Sequence, residues 1–215
     1  MKFCSRVAAA AVFLCASMTT SAFAATFNLT GNGGLANSYS FSEDGIDLTI
    51  TPAAITIGPT IPEDTVATQG QIGQYSGGLG ISQPGSDSHQ VDGYGIDELL
   101  VFAFSETVQF ISAKFTYVGS NDGFEFWFDQ GTDGNLNGDY QFTADIPDSL
   151  AYVLTDTYIG DLFGIGATYN KHDFKLHSIT VSPVPLPAAL PLFAGALGLF
   201  GAAGWRRRRK AAAAA

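Results

Sequence analysis

The sequence predicts an all-β domain over residues 25–182, and we expect a jelly-roll-like antiparallel β-sandwich. Two segments alternate apolar and polar residues with period two, Ile46–Thr51 and Phe124–Asp129, as half-buried strands do. Gly, Asn, Asp and Pro separate such segments at intervals of about ten residues, and no helical period is sustained in this region. Short strands with turns at this spacing are typical of a sandwich or a barrel.

Further strands are expected where β-branched and aromatic residues cluster. In chain order these segments are 98–104, 111–118, 150–154 and 174–181. In the last of them, Phe174 and Leu176 have one parity, whereas Ile179 and Val181 have the other. A β-bulge at residues 177–178 brings all four side chains to the same face, so we expect one there.

The composition indicates a folded, acidic domain. Charged residues make up only 14% of the chain and hydrophobic residues 46%, which is enough apolar surface for a core. All 20 acidic residues lie within 43–175, together with only three basic residues, so this interval has a formal charge of −17. Binding to nucleic acid requires clustered Lys and Arg to neutralise phosphates, and we therefore exclude it for this domain.

The N-terminus has the three parts of a secretory signal peptide, which we assign to residues 1–24. A positively charged start precedes the apolar run Val7–Ala16, which is too short to span a bilayer. The small residues Ala22 and Ala24 then fit a signal peptidase site, so the exported chain is expected to begin at Ala25.

One loop has the spacing of a calcium-binding loop. Its candidate ligands are Asp133, Asn135, Asn137 and Asp139. Gly138 occupies the sixth position, where a calcium loop turns sharply, but Ala144 stands where a bidentate acid is expected. An Asn- and Gly-rich loop between strands explains the same residues. Calcium is the one cofactor that the sequence suggests.

Trp127 is a candidate for carbohydrate binding. It shares its parity with Glu125 and Asp129, opposite the three phenylalanines of the same strand. An aromatic ring between carboxylates on the polar face of a sheet is suited to stacking on a sugar ring. The alternative is that Trp127 packs under a covering loop.

The sequence offers little for catalysis. Three acid pairs, at 43–44, 63–64 and 97–98, are adjacent in sequence, so the two members point to opposite faces of a strand. Nucleophile-elbow, metalloprotease and phosphate-loop motifs are absent from the sequence. We therefore expect a protein that is not an enzyme.

The C-terminal residues 183–210 form a distinct tail, followed by alanines at 211–215. The tail begins with the motif Val184, Pro185, Leu186, Pro187 and Ala188. The uncharged segment 188–205 is about 27 Å long as a helix, which suffices for a thin bilayer. A basic cluster follows, made of Arg206, Arg207, Arg208, Arg209 and Lys210. By the positive-inside rule, this cluster stays cytoplasmic and the domain before it is exported.

This order of proline motif, apolar helix and basic cluster resembles the VPLPA variant of the PEP-CTERM sorting signal. The resemblance covers about 30 residues, and it departs from the parent motif in having Leu186 where that motif has Glu. It implies that the chain is a substrate of an exosortase, a membrane-embedded processing enzyme of Gram-negative bacteria. The alternative is a proline-rich hinge before a plain membrane anchor.

These features together predict an exported, non-catalytic protein of the cell envelope or the exopolysaccharide matrix. Its expected partners are an exosortase, the inner membrane before processing, and exopolysaccharide. Two other functions stay open. One is a surface carbohydrate-binding module that uses Trp127, and the other is a surface glycoside-active hydrolase with a carboxylate pair on facing strands.

Overall fold

The computed structural model describes residues 23–56, 65–83, 89–130, 133–184 and 198. Strands account for 67% of the described residues, far above the 20–25% of an average domain, and all of their pairings are antiparallel. The prediction of an all-β domain is therefore confirmed. Most of the predicted signal peptide, the sorting tail after Val184 and the basic cluster lie outside the described residues. Within the described residues, no helix is long and apolar enough to cross a membrane.

Thirteen strands are found in the described part of the chain. They are β1 (Ala25–Asn28), β2 (Gly34–Ala36), β3 (Tyr39–Glu43), β4 (Ile46–Thr56), β5 (Thr65–Thr68), β6 (Gln71–Tyr75), β7 (Gly78–Ser82), β8 (Val91–Asp92), β9 (Asp97–Thr116), β10 (Gly123–Phe128), β11 (Tyr140–Asp145), β12 (Ala151–Ala167) and β13 (Asp173–Pro183). In the sheet, hydrogen-bonded neighbouring strands follow the order β11-β10-β12-β9-β13-β7-β6-β2. Strand β4 pairs with β9, strands β3 and β5 pair with β4, and strands β1 and β8 pair with β13.

The long strand β9 bends, and its two halves belong to two different parts of the sheet. Its first half pairs with β4, and its second half pairs with β13. The rings of Phe102 and Phe110 are 6.3 Å apart, although eight residues of a straight strand span about 27 Å. The bend lies at the exposed residues 105–107. The sheet therefore folds over itself, and the result is a sandwich-like fold with the core between its two parts.

The core is rich in phenylalanine. The ring of Phe110 lies 5.4 Å from Phe126, 5.3 Å from Phe163 and 6.3 Å from Phe102, and all four side chains are fully buried. Burial of each such side chain stabilises the fold by about 1.5–3 kcal/mol. A second, smaller cluster consists of Ala53, Ile55, Leu99, Trp127 and Leu136.

Most predicted strands are found, and one pair is merged. Segments 46–51 and 124–128 lie in β4 and β10, but the two segments 98–104 and 111–118 belong to the single strand β9 and its end. The predicted bulge in β13 is confirmed. The register shifts between Leu176 and Ser178, and the four apolar side chains around it are buried.

Strand β1 runs beside β13 in the opposite direction, which brings both ends of the fold together. Ala25 pairs with Val181, and the N–H of Val184 donates to the carbonyl of Thr107 at 3.2 Å. We call this region, defined by Ala25, Thr107 and Pro183, the terminal end. The loops that join β8 to β9, β9 to β10 and β12 to β13 lie at the opposite end of the sheet.

Candidate functional site

Three aspartates meet in the loop that follows β10. Carboxylate oxygens of Asp129, Asp133 and Asp139 lie within 4.8 Å of one another, and we call these residues the aspartate cluster. Asp129 is buried, and its carboxylate accepts the N–H groups of Asp133 (3.3 Å) and Gly134 (2.9 Å). These bonds fold the loop back onto the end of the strand. Gly134 and Gly138 have positive φ of 79° and 73°, which a glycine adopts without strain.

The geometry and the charge of the aspartate cluster suit a divalent cation. Ligands on opposite sides of a calcium ion are about 5 Å apart, since each oxygen lies 2.3–2.6 Å from the ion. Burial raises the pKa of Asp139, and the negative charges of Asp129 and Asp133 raise it further. A bound cation would relieve that repulsion.

The predicted calcium ligands are only partly brought together. Asp133 and Asp139 belong to the cluster, but the side-chain oxygens of the two asparagines accept backbone N–H groups. Asn135 accepts from the N–H of Asn137 at 2.9 Å, and Asn137 accepts from the N–H of Val66 at 2.8 Å. They therefore shape the loop and attach it to β5. Sequence reasoning missed Asp129 as a candidate ligand. The one sequence signal for it is its position directly after a strand.

Trp127 is not placed to bind a sugar. Its side chain is 1% exposed and packs with Leu99 and with Leu136 of the following loop, while its ring lies 5.7 Å from the ring of Tyr140. The hypothesis that Trp127 stacks on a sugar ring is therefore wrong, because both faces are covered. The alternative, a tryptophan packed under a loop, describes its position.

Two glutamates are buried in strands and bond to the backbone of neighbouring loops. Glu98 and Glu125, which we call the buried glutamates, are 0% and 1% exposed. Oε2 of Glu98 accepts the N–H of Asp92 at 3.0 Å, and Oε2 of Glu125 accepts the N–H of Thr168 at 2.9 Å. Each glutamate thereby fixes the start or the end of a loop.

Burial favours the neutral form of the buried glutamates. It raises the pKa of Glu98 to about 8 and that of Glu125 to about 7, although the backbone hydrogen bonds act in the opposite direction. The Oε1 atom of each carboxyl has no hydrogen-bond partner among the described residues. A negative charge on either carboxyl group would therefore be poorly stabilised by hydrogen bonds.

His172 lies beside Glu125. Its Nδ1 is 3.3 Å from Oε1 of Glu125, but the direction is poor for a hydrogen bond. Burial lowers the pKa of His172, and the charges of Asp122 and Asp145 oppose this shift. Burial also raises the pKa of the half-buried Asp97 to about 6, and the charge of Asp97 adds to the rise at Glu125.

The residues of the predicted export and sorting signals are described only at their edges. Ala24 is exposed, Ala25 is buried as the first residue of β1, and Val184 is 37% exposed. Ala22, the remaining motif residues and the basic cluster lie outside the described residues. The search among protein-family models, curated proteins and solved structures gave no match to this chain.

Proposed function

We propose that this chain is an exported, non-catalytic protein that is sorted through its C-terminal tail to the cell envelope or the extracellular matrix. One observation carries the proposal, namely the agreement between the bounds of the fold and the predicted processing signals. Strand β1 begins at Ala25, directly after the predicted cleavage bond, and β13 ends at Pro183, directly before the motif.

The first residue of the fold is part of its core. Ala25 is fully buried and pairs with Val181, whereas Ala24 is exposed. Removal of residues 1–24 therefore leaves all the strands of the described segments intact. The jelly-roll arrangement of the strands belongs to the same proposal, since the bent, antiparallel sheet is compatible with it.

The tail leaves from the same end at which the fold begins. Val184, the first residue of the proline motif, makes the last described backbone bond, to Thr107. With so short a connection, a membrane enzyme would meet the motif just below the domain. An exosortase is the enzyme that the resemblance to the VPLPA signal implies, and the inner membrane is then the site of processing.

A non-catalytic role agrees with the environment of the acids. The pKa values of Glu98 and Glu125 are raised to about 8 and about 7, but both side chains are buried and bonded to backbone N–H groups. A glycoside hydrolase needs two carboxyl groups that face a substrate across a cleft. The buried glutamates do not reach solvent, so they favour a structural role over that alternative.

The test is to follow processing in the native host. Replacing Pro185 and Pro187 with alanine should leave an uncleaved, membrane-held form, because the extended motif is lost. Neutral substitution of Arg206, Arg207, Arg208 and Arg209 should instead cause mis-sorting, since the charges that oppose translocation are removed. A double alanine variant that migrates and localises like the wild type would reduce the motif to a hinge.

A second proposal is that the aspartate cluster binds calcium. Its support is the approach of three carboxylates in one loop, in a domain with a formal charge of −17 between residues 43 and 175. The protein would then be more stable outside the cell, where calcium is abundant. This role needs no change in the first proposal.

A further inference from the structure

The loops opposite the terminal end present three exposed tyrosines. Tyr94, Tyr117 and Tyr169 are 77%, 63% and 58% exposed. Tyr94 lies between β8 and β9, Tyr117 between β9 and β10, and Tyr169 between β12 and β13. We call this region the tyrosine end.

Backbone contacts hold these loops against each other. The N–H of Gly93 donates to the carbonyl of His172 at 3.3 Å, and a Cβ at Gly93 would lie 2.5 Å from the carbonyl oxygen of Tyr169. The side chain of Gln90 donates to the carbonyl of Tyr117 at 3.1 Å and to Asp173 at 2.7 Å. The three loops therefore form one connected surface.

Buried carboxyl groups fix the same loops from below. Glu98 accepts the N–H of Asp92, two residues before Tyr94, and Glu125 accepts the N–H of Thr168, next to Tyr169. Asp122 accepts the N–H of Gly119 in the loop that follows Tyr117. A surface that is ordered before binding loses less entropy when a ligand arrives.

The tyrosine end also lies far from the tail. Strand β13 has 11 residues and connects the tyrosine end to the terminal end, a distance of about 35 Å. A domain held through its tail therefore presents these rings away from the membrane. In this respect alone, the inference rests on the proposed function.

The charge of the tyrosine end limits the kind of partner. It carries the half-buried Asp97, the exposed Asp173 and one exposed cation, Lys171, whereas the ammonium group of Lys175 is buried. That group donates to the carbonyl of His89 at 2.7 Å and lies 3.9 Å from the centre of the ring of Tyr75. The carboxyl groups outnumber the exposed cation, so the tyrosine end disfavours anionic polymers, and an uncharged partner meets no such barrier.

We propose that the tyrosine end binds an uncharged polysaccharide. Flat aromatic rings on fixed loops offer apolar faces to the C–H groups of sugar rings, and their hydroxyl groups remain available for hydrogen bonds. The three rings belong to separate loops with small polar residues around them, such as Gly95, Asn121 and Asn170. Separate rings of this kind suit the repeated units of a sugar polymer. A protein interface would instead have a contiguous apolar core.

The test is native gel electrophoresis of the purified full chain in mild detergent. The gels contain hydroxyethyl cellulose, dextran or galactomannan as uncharged polymers, alginate as an anionic polymer, or no polymer. We expect slower migration in at least one uncharged polymer and no retardation in alginate. The variants Y94A and Y169A should weaken the interaction by about two- to tenfold, as expected for the loss of an aromatic contact.

Controls separate binding from folding. Y94F retains the ring and should bind like the wild type, and V153A removes an exposed apolar side chain from β12 and should have no effect. Thermal midpoints of all variants should agree with the wild type, because the altered side chains are exposed. No retardation in any uncharged polymer, or retardation that Y94A and Y169A leave unchanged, would overturn the proposal. Because the purified chain is used, neither result depends on export or sorting.

Discussion

The buried glutamate of β10, Glu125, and the aspartate cluster that follows the same strand differ in what their carboxyl groups contact. Glu125 lies within β10, is 1% exposed and accepts a backbone N–H with one of its oxygens. Asp129 follows β10 and also accepts backbone N–H groups, but two further carboxylates lie beside it in a loop. The first region fixes loops, and the second gathers negative charge near solvent.

This difference shows that the environment determines the use of a carboxyl group. A single buried carboxyl is most easily accommodated in its neutral form, and its pKa rises accordingly. Several carboxylates gathered in one loop repel each other, so a cation stabilises them. Acidity alone therefore points to no particular function.

The largest expected effect is the pH dependence of stability that the buried glutamates cause. In the folded protein the pKa of Glu98 is about 8, above its ordinary value of 4.5, so the folded state retains a proton that the unfolded state has lost. The free energy of unfolding should therefore fall as pH rises, by about 2 kcal/mol between pH 6.5 and 8. Thermal unfolding across this range should show a midpoint that falls by several degrees.

Above pH 6.5, the effect of the buried glutamates on stability can be measured without a contribution from the histidines. The lowered pKa values of His172 and His177 make stability rise with pH, but only up to their ordinary value of 6.5. E98Q keeps an acceptor for the N–H of Asp92 and should flatten the slope, whereas E106Q at the exposed bend of β9 should not. An equal slope in E98Q and the wild type would contradict our assignment.

The second effect in size is stabilisation by calcium at the aspartate cluster. A ligand that binds only the folded state, present at about ten times its dissociation constant, stabilises by about 1.4 kcal/mol. The midpoint of unfolding should therefore rise by several degrees in millimolar calcium relative to chelator, and magnesium should do less because it requires a tighter octahedron.

The variants D129N and D133N should abolish the calcium effect, because each removes a charge from the cluster. D148N, an aspartate in the loop between β11 and β12, is a matched control outside the cluster. Equal midpoints with calcium and with chelator in the wild type would exclude the site. A calcium effect that survives in both cluster variants would place the calcium site elsewhere.

The smallest effect concerns the asparagine that attaches the loop to β5. The side chain of Asn137 accepts the N–H of Val66, and N137A should cost about 1 kcal/mol, the typical value for one such hydrogen bond. The calcium shift should persist in N137A, since its oxygen serves the backbone. Loss of the shift without loss of stability would make Asn137 a ligand, as the sequence suggested.

Local patterns predicted much of the fold. The alternation in β4 and β10 and the change of parity in β13 are properties of consecutive residues, so both the strands and the bulge were accessible from sequence. The continuity of β9 was not, because residues 105–107 face outward at the bend and interrupt the alternation. The two residues of β8 form a strand only because β13 lies beside them.

The sites were less predictable because they depend on distant segments. Glu98 and Glu125 look like the polar residues of exposed strand faces, and only the packing of neighbouring strands and loops buries them. Asp129 joins Asp133 and Asp139 because its carboxylate accepts N–H groups of the following loop. Trp127 was placed on the correct face of β10, but its covering residue Leu136 comes from that same loop.

The antiparallel placement of β1 beside β13 gives the fold a direction of mechanical strength. A load between the tyrosine end and the tail stretches β13 along its length, so the bonds to β1 and β9 are sheared together. A load that separates Ala25 from Pro183 would instead open the β1–β13 pair one bond at a time. A domain tethered by its tail and pulled from its far end is therefore loaded along its stronger axis.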